Sequence, residues 1–94
     1  MPYSVVLSPD AINDIDIAVE YYNNVSNGLG FEFTDILDKY LQKIAKLPSA
    51  SAIRYDNVRV KPMSIFPYTI HFIIANEATV IILRIFNTYQ KPVD

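Results

Sequence analysis

Phe33-Thr34-Asp35-Ile36-Leu37-Asp38-Lys39-Tyr40-Leu41-Gln42-Lys43-Ile44 is the stretch on which the fold turns. Phe33, Ile36, Leu37, Tyr40, Leu41 and Ile44 fall at i, i+3, i+4, i+7, i+8 and i+11, which lays one continuous apolar stripe along a helix. Asp35 and Lys39 stand four apart, acid first, the order that supports a helix. Leu47-Pro48 ends it, because the residue before a proline is pushed out of helical geometry. Toward the N-terminus a second helical period appears in Ile12, Ile15, Val19, Tyr22 and Val25, with Asp10, Asp14, Glu20 and Asn24 on the opposite face. Ser8-Pro9-Asp10 is its start: a capping hydroxyl, a proline suited to the first turn and an acid at the positive end of the dipole. Asn27-Gly28 stops it. A link this short predicts two antiparallel helices, a helical hairpin.

The flanking segments read as strands. Tyr3-Ser4-Val5-Val6-Leu7 is rich in β-formers. Val58-Arg59-Val60-Lys61-Pro62 alternates apolar and basic. Pro67 to Ala75 and Ala78 to Phe86 are two longer strands, joined by a tight turn at Asn76-Glu77. The order β-α-α-β-β-β predicts an α+β fold: an N-terminal strand and an antiparallel helical hairpin packed on one face of a mostly antiparallel four-stranded sheet. With 94 residues the chain fits one domain, 1–94, without internal repeat or linker.

Composition narrows the function classes. Half the residues are hydrophobic, too many for a disordered tail. The absence of cysteine removes disulfides and thiolate chemistry, and one histidine without cysteine speaks against a structural zinc. Two glycines provide no phosphate-cradling loop, so no cofactor and no metal is expected. The N-terminus lacks the basic and apolar regions of a signal peptide, and no run is long enough to span a membrane; a cytoplasmic location is expected. Net charge is −2 but unevenly placed: residues 1–35 carry six acids and no Lys or Arg, and residues 36–94 carry all eight Lys and Arg against four acids. Strong direct nucleic-acid binding is not expected from that balance, although the second part can form a local basic patch.

Strand alternation assigns the faces. Tyr68, Ile70, Phe72 and Ile74, with Ile81, Leu83 and Ile85, are expected to meet the helices. The other face would carry Thr69, His71 and Ile73, then Val80, Ile82, Arg84 and Phe86, with Arg59 and Lys61 beside them. Two helices cannot cover both sides of a sheet. This second face is either a docking surface for another chain, of mixed apolar and basic character, or is half covered by loops and tail. His71 reads as a hydrogen-bonded structural residue, and Asp10/Asp14 and Asp16/Glu20 as a solvated helix face. Arg59, Lys61 and Arg84 with Tyr89 form the one cluster with catalytic potential, since cations stabilise a pentavalent phosphate and a tyrosine can move a proton.

Taken in order, Tyr3 to Leu7, Ser8-Pro9-Asp10-Ala11, Tyr21-Tyr22, Gly28-Leu29-Gly30-Phe31-Glu32-Phe33, Ile44 to Pro48, Val58-Arg59-Val60, Phe66-Pro67-Tyr68-Thr69-Ile70, Val80 to Phe86 and Asn87-Thr88-Tyr89-Gln90-Lys91-Pro92 make the chain resemble a known family. It resembles the ParE/RelE superfamily of small bacterial toxins from type II toxin–antitoxin systems, on the ParE, plasmid-stabilisation branch. The resemblance implies a growth-inhibiting toxin held inactive by a cognate antitoxin that wraps around it. The antitoxin would meet Arg59, Lys61, His71, Ile73, Val80, Ile82, Arg84 and Phe86. ParE-like toxins are associated with poisoning DNA gyrase; RelE-like ones cut mRNA on the ribosome, here with Arg59, Lys61, Arg84 and Tyr89 as the catalytic candidates. The sequence departs from the family where Asn87 replaces a histidine and Gln90 an arginine, which weakens the endonuclease alternative. A degenerate member that binds antitoxin without toxicity is a third reading, and exposed Ile82 and Phe86 would also suit a homodimer.

Overall fold

The computed structural model describes residues 2–89. Among them lie two α-helices and a five-stranded sheet: β1 (Ser4–Leu7), α1 (Pro9–Val25), α2 (Leu29–Lys46), a 3-10 turn (Pro48–Ala50), β2 (Ile53–Tyr55), β3 (Val58–Pro62), β4 (Tyr68–Ile74) and β5 (Thr79–Asn87). The sheet order is β1-β5-β4-β3-β2. β1 runs parallel to β5 and every other neighbour pair is antiparallel. The short β2 makes a fifth strand where the sequence predicts four. The Gln90-Lys91-Pro92 end of the family-like stretch lies outside the described residues.

Ser8 starts α1 as anticipated. Its Oγ accepts from the Ala11 N–H at 3.0 Å and donates to the Leu83 carbonyl at 2.8 Å, so one side chain caps the helix and ties it to β5. Gly28 takes φ +85°, a conformation open to glycine, and turns the chain from α1 into α2. The hairpin is pinned two residues later, where the Gly30 N–H donates to Asn23 Oδ1 at 2.9 Å.

The core lies between the hairpin and one face of the sheet. Its centre is aromatic: Tyr22 of α1, Phe33 of α2, and Phe66 and Tyr68 from the entry to β4, with Phe33 5.3 Å from Phe66 and 5.1 Å from Tyr68 by ring centroid. Burial pushes the Tyr22 phenol up to about 12.

Two features of the sheet correct the face assignment. In β5, His71 pairs with Arg84 but Phe72 pairs with Ile82, so Leu83 is an extra residue, a β-bulge. Alternation changes phase there. Ile85 points to the helices as expected, but before the bulge the inward residues are Val80 and Ile82, both 0% exposed. Val80 and Ile82 therefore belong to the core and not to the open face, while Ile81 pairs with Ile73 on the open side. In β3, Arg59 pairs with Phe72 and Lys61 with Ile70. Residues directly opposite share a face, so Arg59 and Lys61 lie on the helix side of the sheet. They are tolerated there because β3 is next to the sheet edge, where long basic stems can pack while their heads reach water.

Candidate partner face and edge cleft

Among the described residues no helix packs on the second face of the sheet. Val60, Thr69, His71, Ile73, Ile81 and Phe86 are half-buried on it, and Val6 from β1 is exposed beside Ile81. His71 occupies its middle. Tyr55 Oη lies 3.0 Å from His71 Nδ1 and Thr69 Oγ1 2.9 Å from Nε2, and the Phe86 ring meets the imidazole edge-on at 4.8 Å. Burial, helped by the Arg84 charge, holds the His71 pKa below its usual value. With both ring nitrogens engaged by hydroxyls, His71 ties β2 to β4 and offers no free base.

Arg84 sits where β1 has ended and β5 continues with only β4 beside it, its other edge bare. Its Nε donates to Asp14 Oδ2 at 2.8 Å and its Nη2 to Oδ1 at 3.0 Å, and the Ile85 N–H donates to Oδ2 at 2.9 Å. The guanidinium carbon is also 4.5 Å from the centre of the Phe86 ring. Asp14 thus closes the bare edge of β5 and neutralises Arg84, whose pKa rises chiefly through that hydrogen bond. The solvated-face reading of Asp14 does not hold. Its partner is 70 positions away, and nothing local in the sequence signals it.

Beside this pair a cleft of about 490 Å³ opens between α1 and the end of β5. Ile17, Tyr21, Tyr68, Asn87 and Tyr89 line it together with Arg84. Ile17 and Tyr21 project from α1 four residues apart, and Tyr89 is 86% exposed. The cleft joins the open face around Phe86, giving one surface that is apolar and aromatic with a neutralised ion pair in its floor.

The four catalytic candidates are divided. Arg84 and Tyr89 share the cleft. Arg59 and Lys61 are on the other side of the sheet, where Arg59 Nη1 donates to the Ser51 carbonyl at 2.7 Å and Lys61 Nζ stands 6.0 Å from the Tyr40 ring centre. Of the proposed partner residues, His71, Ile73, Arg84 and Phe86 come together on one surface; Arg59, Lys61, Val80 and Ile82 do not. Tyr55, Ile81, Ile17 and Tyr21 belong to that surface and escaped the sequence reading. Ile17 and Tyr21 had a signal: apolar side chains on the polar side of an amphipathic helix.

The family model described as ParE toxin of type II toxin–antitoxin system, parDE, matches residues 5–92. No curated protein matches by sequence. Among solved structures, a chain from the chromosomal ParDE toxin–antitoxin system of P. aeruginosa is similar in fold, with a TM-score of 0.79 over 90% of this chain and 95% of that one, at 17% identity.

Proposed function

This chain belongs to the ParE toxin family of type II toxin–antitoxin systems, and we propose that a cognate antitoxin silences it by lying across the open sheet face and edge cleft. The observation that carries this reading is the surface left uncovered among the described residues: exposed Ile17 and Tyr21, with half-buried Ile73, Ile81 and Phe86, around the free edge of β5. Such a patch on a small domain is the kind a partner chain covers. The unbound toxin acts on a protein target, with DNA gyrase the candidate that the family resemblance favours.

Against a ribosome-dependent mRNA endonuclease stand two points of geometry. The basic candidates lie on two sides of the sheet. Arg84, the one beside Tyr89, already carries a carboxylate. A cation so engaged is poorly placed to stabilise a developing phosphate charge.

Two measurements test the proposal. Co-expression with the adjacent small open reading frame should yield a soluble complex, and Ile81→Glu with Phe86→Glu should abolish it while leaving the circular dichroism of the toxin unchanged. Induction without antitoxin should arrest growth with gyrase-dependent DNA breaks. Cleaved mRNA without such breaks would establish the endonuclease instead, and undisturbed growth a non-toxic family member.

A further inference from the structure

The side of α2 turned away from the core carries both signs of charge in a fixed order. Phe31, Asp35, Asp38, Lys39, Gln42 and Lys46 are all exposed, and steps of three and four residues keep them on one helical face. Acids come first along that face and lysines last. Asp35 Oδ2 stands 3.4 Å from the Lys39 Nζ, and Asp38 Oδ2 accepts from Gln42 Nε2 at 2.8 Å. Surface contacts of this kind are weak and exchange readily for others. The helix dipole accounts for an acid in the first turn and lysines in the last. It does not account for two large apolar side chains at the ends: Phe31 is 81% exposed and Leu47 60%. A shallow depression lined by Phe31, Glu32, Thr34 and Asp35 lies at the Phe31 end.

A face with acids at one end and cations at the other is complementary to itself turned end for end. We propose that two copies of the chain pair through it, α2 antiparallel to α2 about a two-fold axis between Asp38 and Lys39. Such an interface is isologous, so every contact occurs twice. Asp38 of each copy then meets Lys39 of the other. Asp35 faces Gln42, between Lys39 and Lys46 of the second chain. Phe31 lies over the apolar stem of Lys46 and beside Leu47, which removes both exposed apolar ends from water. A wholly basic or wholly acidic partner would match one half of the face and repel the other; a second copy matches both. The pairing leaves the open sheet face and the edge cleft uncovered in both copies, so it goes beyond the toxin reading and does not depend on it. A single helix pair falls short of the roughly 1,200 Å² that stable complexes bury, so the dimer is weak, with a Kd of roughly 10⁻⁵ to 10⁻³ M.

Sedimentation equilibrium of the full chain, from about 10 μM to about 1 mM, tests the proposal at about 50 and about 500 mM salt. The expected result is a monomer–dimer equilibrium that weakens at least about threefold at the higher salt. Asp35→Lys/Asp38→Lys makes the face basic throughout, and Lys39→Glu/Lys46→Glu makes it acidic throughout. Each variant alone should be monomeric, and an equimolar mixture of the two should dimerise again. Phe31→Ala, which leaves every charge in place, should weaken the dimer at least about threefold. All these positions are exposed, and circular dichroism checks that each variant is folded. A monomer at about 1 mM in low salt, self-association of either charge variant as strong as that of the wild type, or a mixture that stays monomeric would overturn the proposal. So would a dimer that Ile81→Glu/Phe86→Glu dissolves, which would seat the second copy on the open sheet face instead.

Discussion

Arg84 of β5 and Asp14 of α1, 70 positions apart, meet in a two-point ion pair that stands where the next strand would be. The Asp14 side chain is 11% exposed and that of Arg84 42%, so water screens the cation more than the carboxylate. Asp14→Ala leaves the Ile85 N–H and the guanidinium without their acceptor and should cost about 1–3 kcal/mol, above the 0–1 kcal/mol typical of exposed pairs. Arg84→Ala leaves a mostly buried carboxylate with one N–H donor. A double-mutant cycle by urea denaturation should return a coupling of about 1 kcal/mol; a value near zero would mean that solvent screens the pair completely.

The bulge at Leu83 makes neighbouring isoleucines unequal. Ile82 is wholly buried against the helices, and Ile82→Ala should cost about 2–5 kcal/mol through lost packing and the cavity left behind. Ile81 faces the open side, and Ile81→Ala should stay within about 1 kcal/mol. Chemical denaturation of the two variants reads the difference directly. Equal losses would place both side chains in the core and remove the bulge from the account.

Those two residues also mark how far the sequence could be read. The helices were legible because each carries a repeated apolar period, and the Ser8 start and Pro48 stop are local chemistry; the buried face of α1 was only partly so, since Ala11 and Ala18 are buried while Ile12 and Val25 of the expected stripe are exposed. β4 was legible for the same reason, with Tyr68, Ile70 and Phe72 inward and His71 and Ile73 outward. β5 was not, because every residue from Val80 to Leu83 is apolar and an extra residue in such a run leaves no trace in the pattern. The phase was right from Arg84 onward and inverted before Leu83. Arg59 and Lys61 misled for another reason: basic residues on a strand near the sheet edge can face the helices and still reach water, so alternation alone does not assign their side. The Asp14–Arg84 pair was hidden because it joins a helix to a strand end that nothing in the sequence marks as bare.

His71 gives a pH dependence of known sign. Its folded pKa lies below the usual 6.5, through burial and then Arg84, so the unfolded chain takes up a proton first as pH falls. The groups around it are the Tyr55 and Thr69 hydroxyls, the Phe86 ring and Arg84; none is a carboxylate. The stability contribution is therefore complete above about pH 6.5 and is lost as pH drops from there toward the folded pKa. Urea midpoints measured at about pH 7.5 and about pH 5.5 should fall more in the wild type than in His71→Gln. An equal fall in both would assign the acid sensitivity to other groups.

The entry to β4 holds strain that a single substitution should release. Ile65 has φ +76°, a β-branched residue in a region that such side chains avoid, and it is 80% exposed. The Phe66 N–H donates to the Ser64 carbonyl at 2.9 Å across it, closing a γ-turn of the positive-φ kind, the more strained of the two. The turn persists because of what it positions: Phe66, buried 4.9 Å from the Tyr22 ring, and Ser64 on the Tyr40 hydroxyl. Phe66→Ala, which removes the side chain the turn delivers, should cost about 3–5 kcal/mol. Ile65→Gly keeps both contacts and relieves the positive φ, roughly 1–2 kcal/mol, against about 0.5–1 kcal/mol for the greater freedom of glycine in the unfolded chain. The net expectation is a small gain, about 0.5 kcal/mol, seen as a higher urea midpoint with an unchanged slope. A loss of stability would show that the exposed isoleucine makes contacts that outweigh its backbone strain.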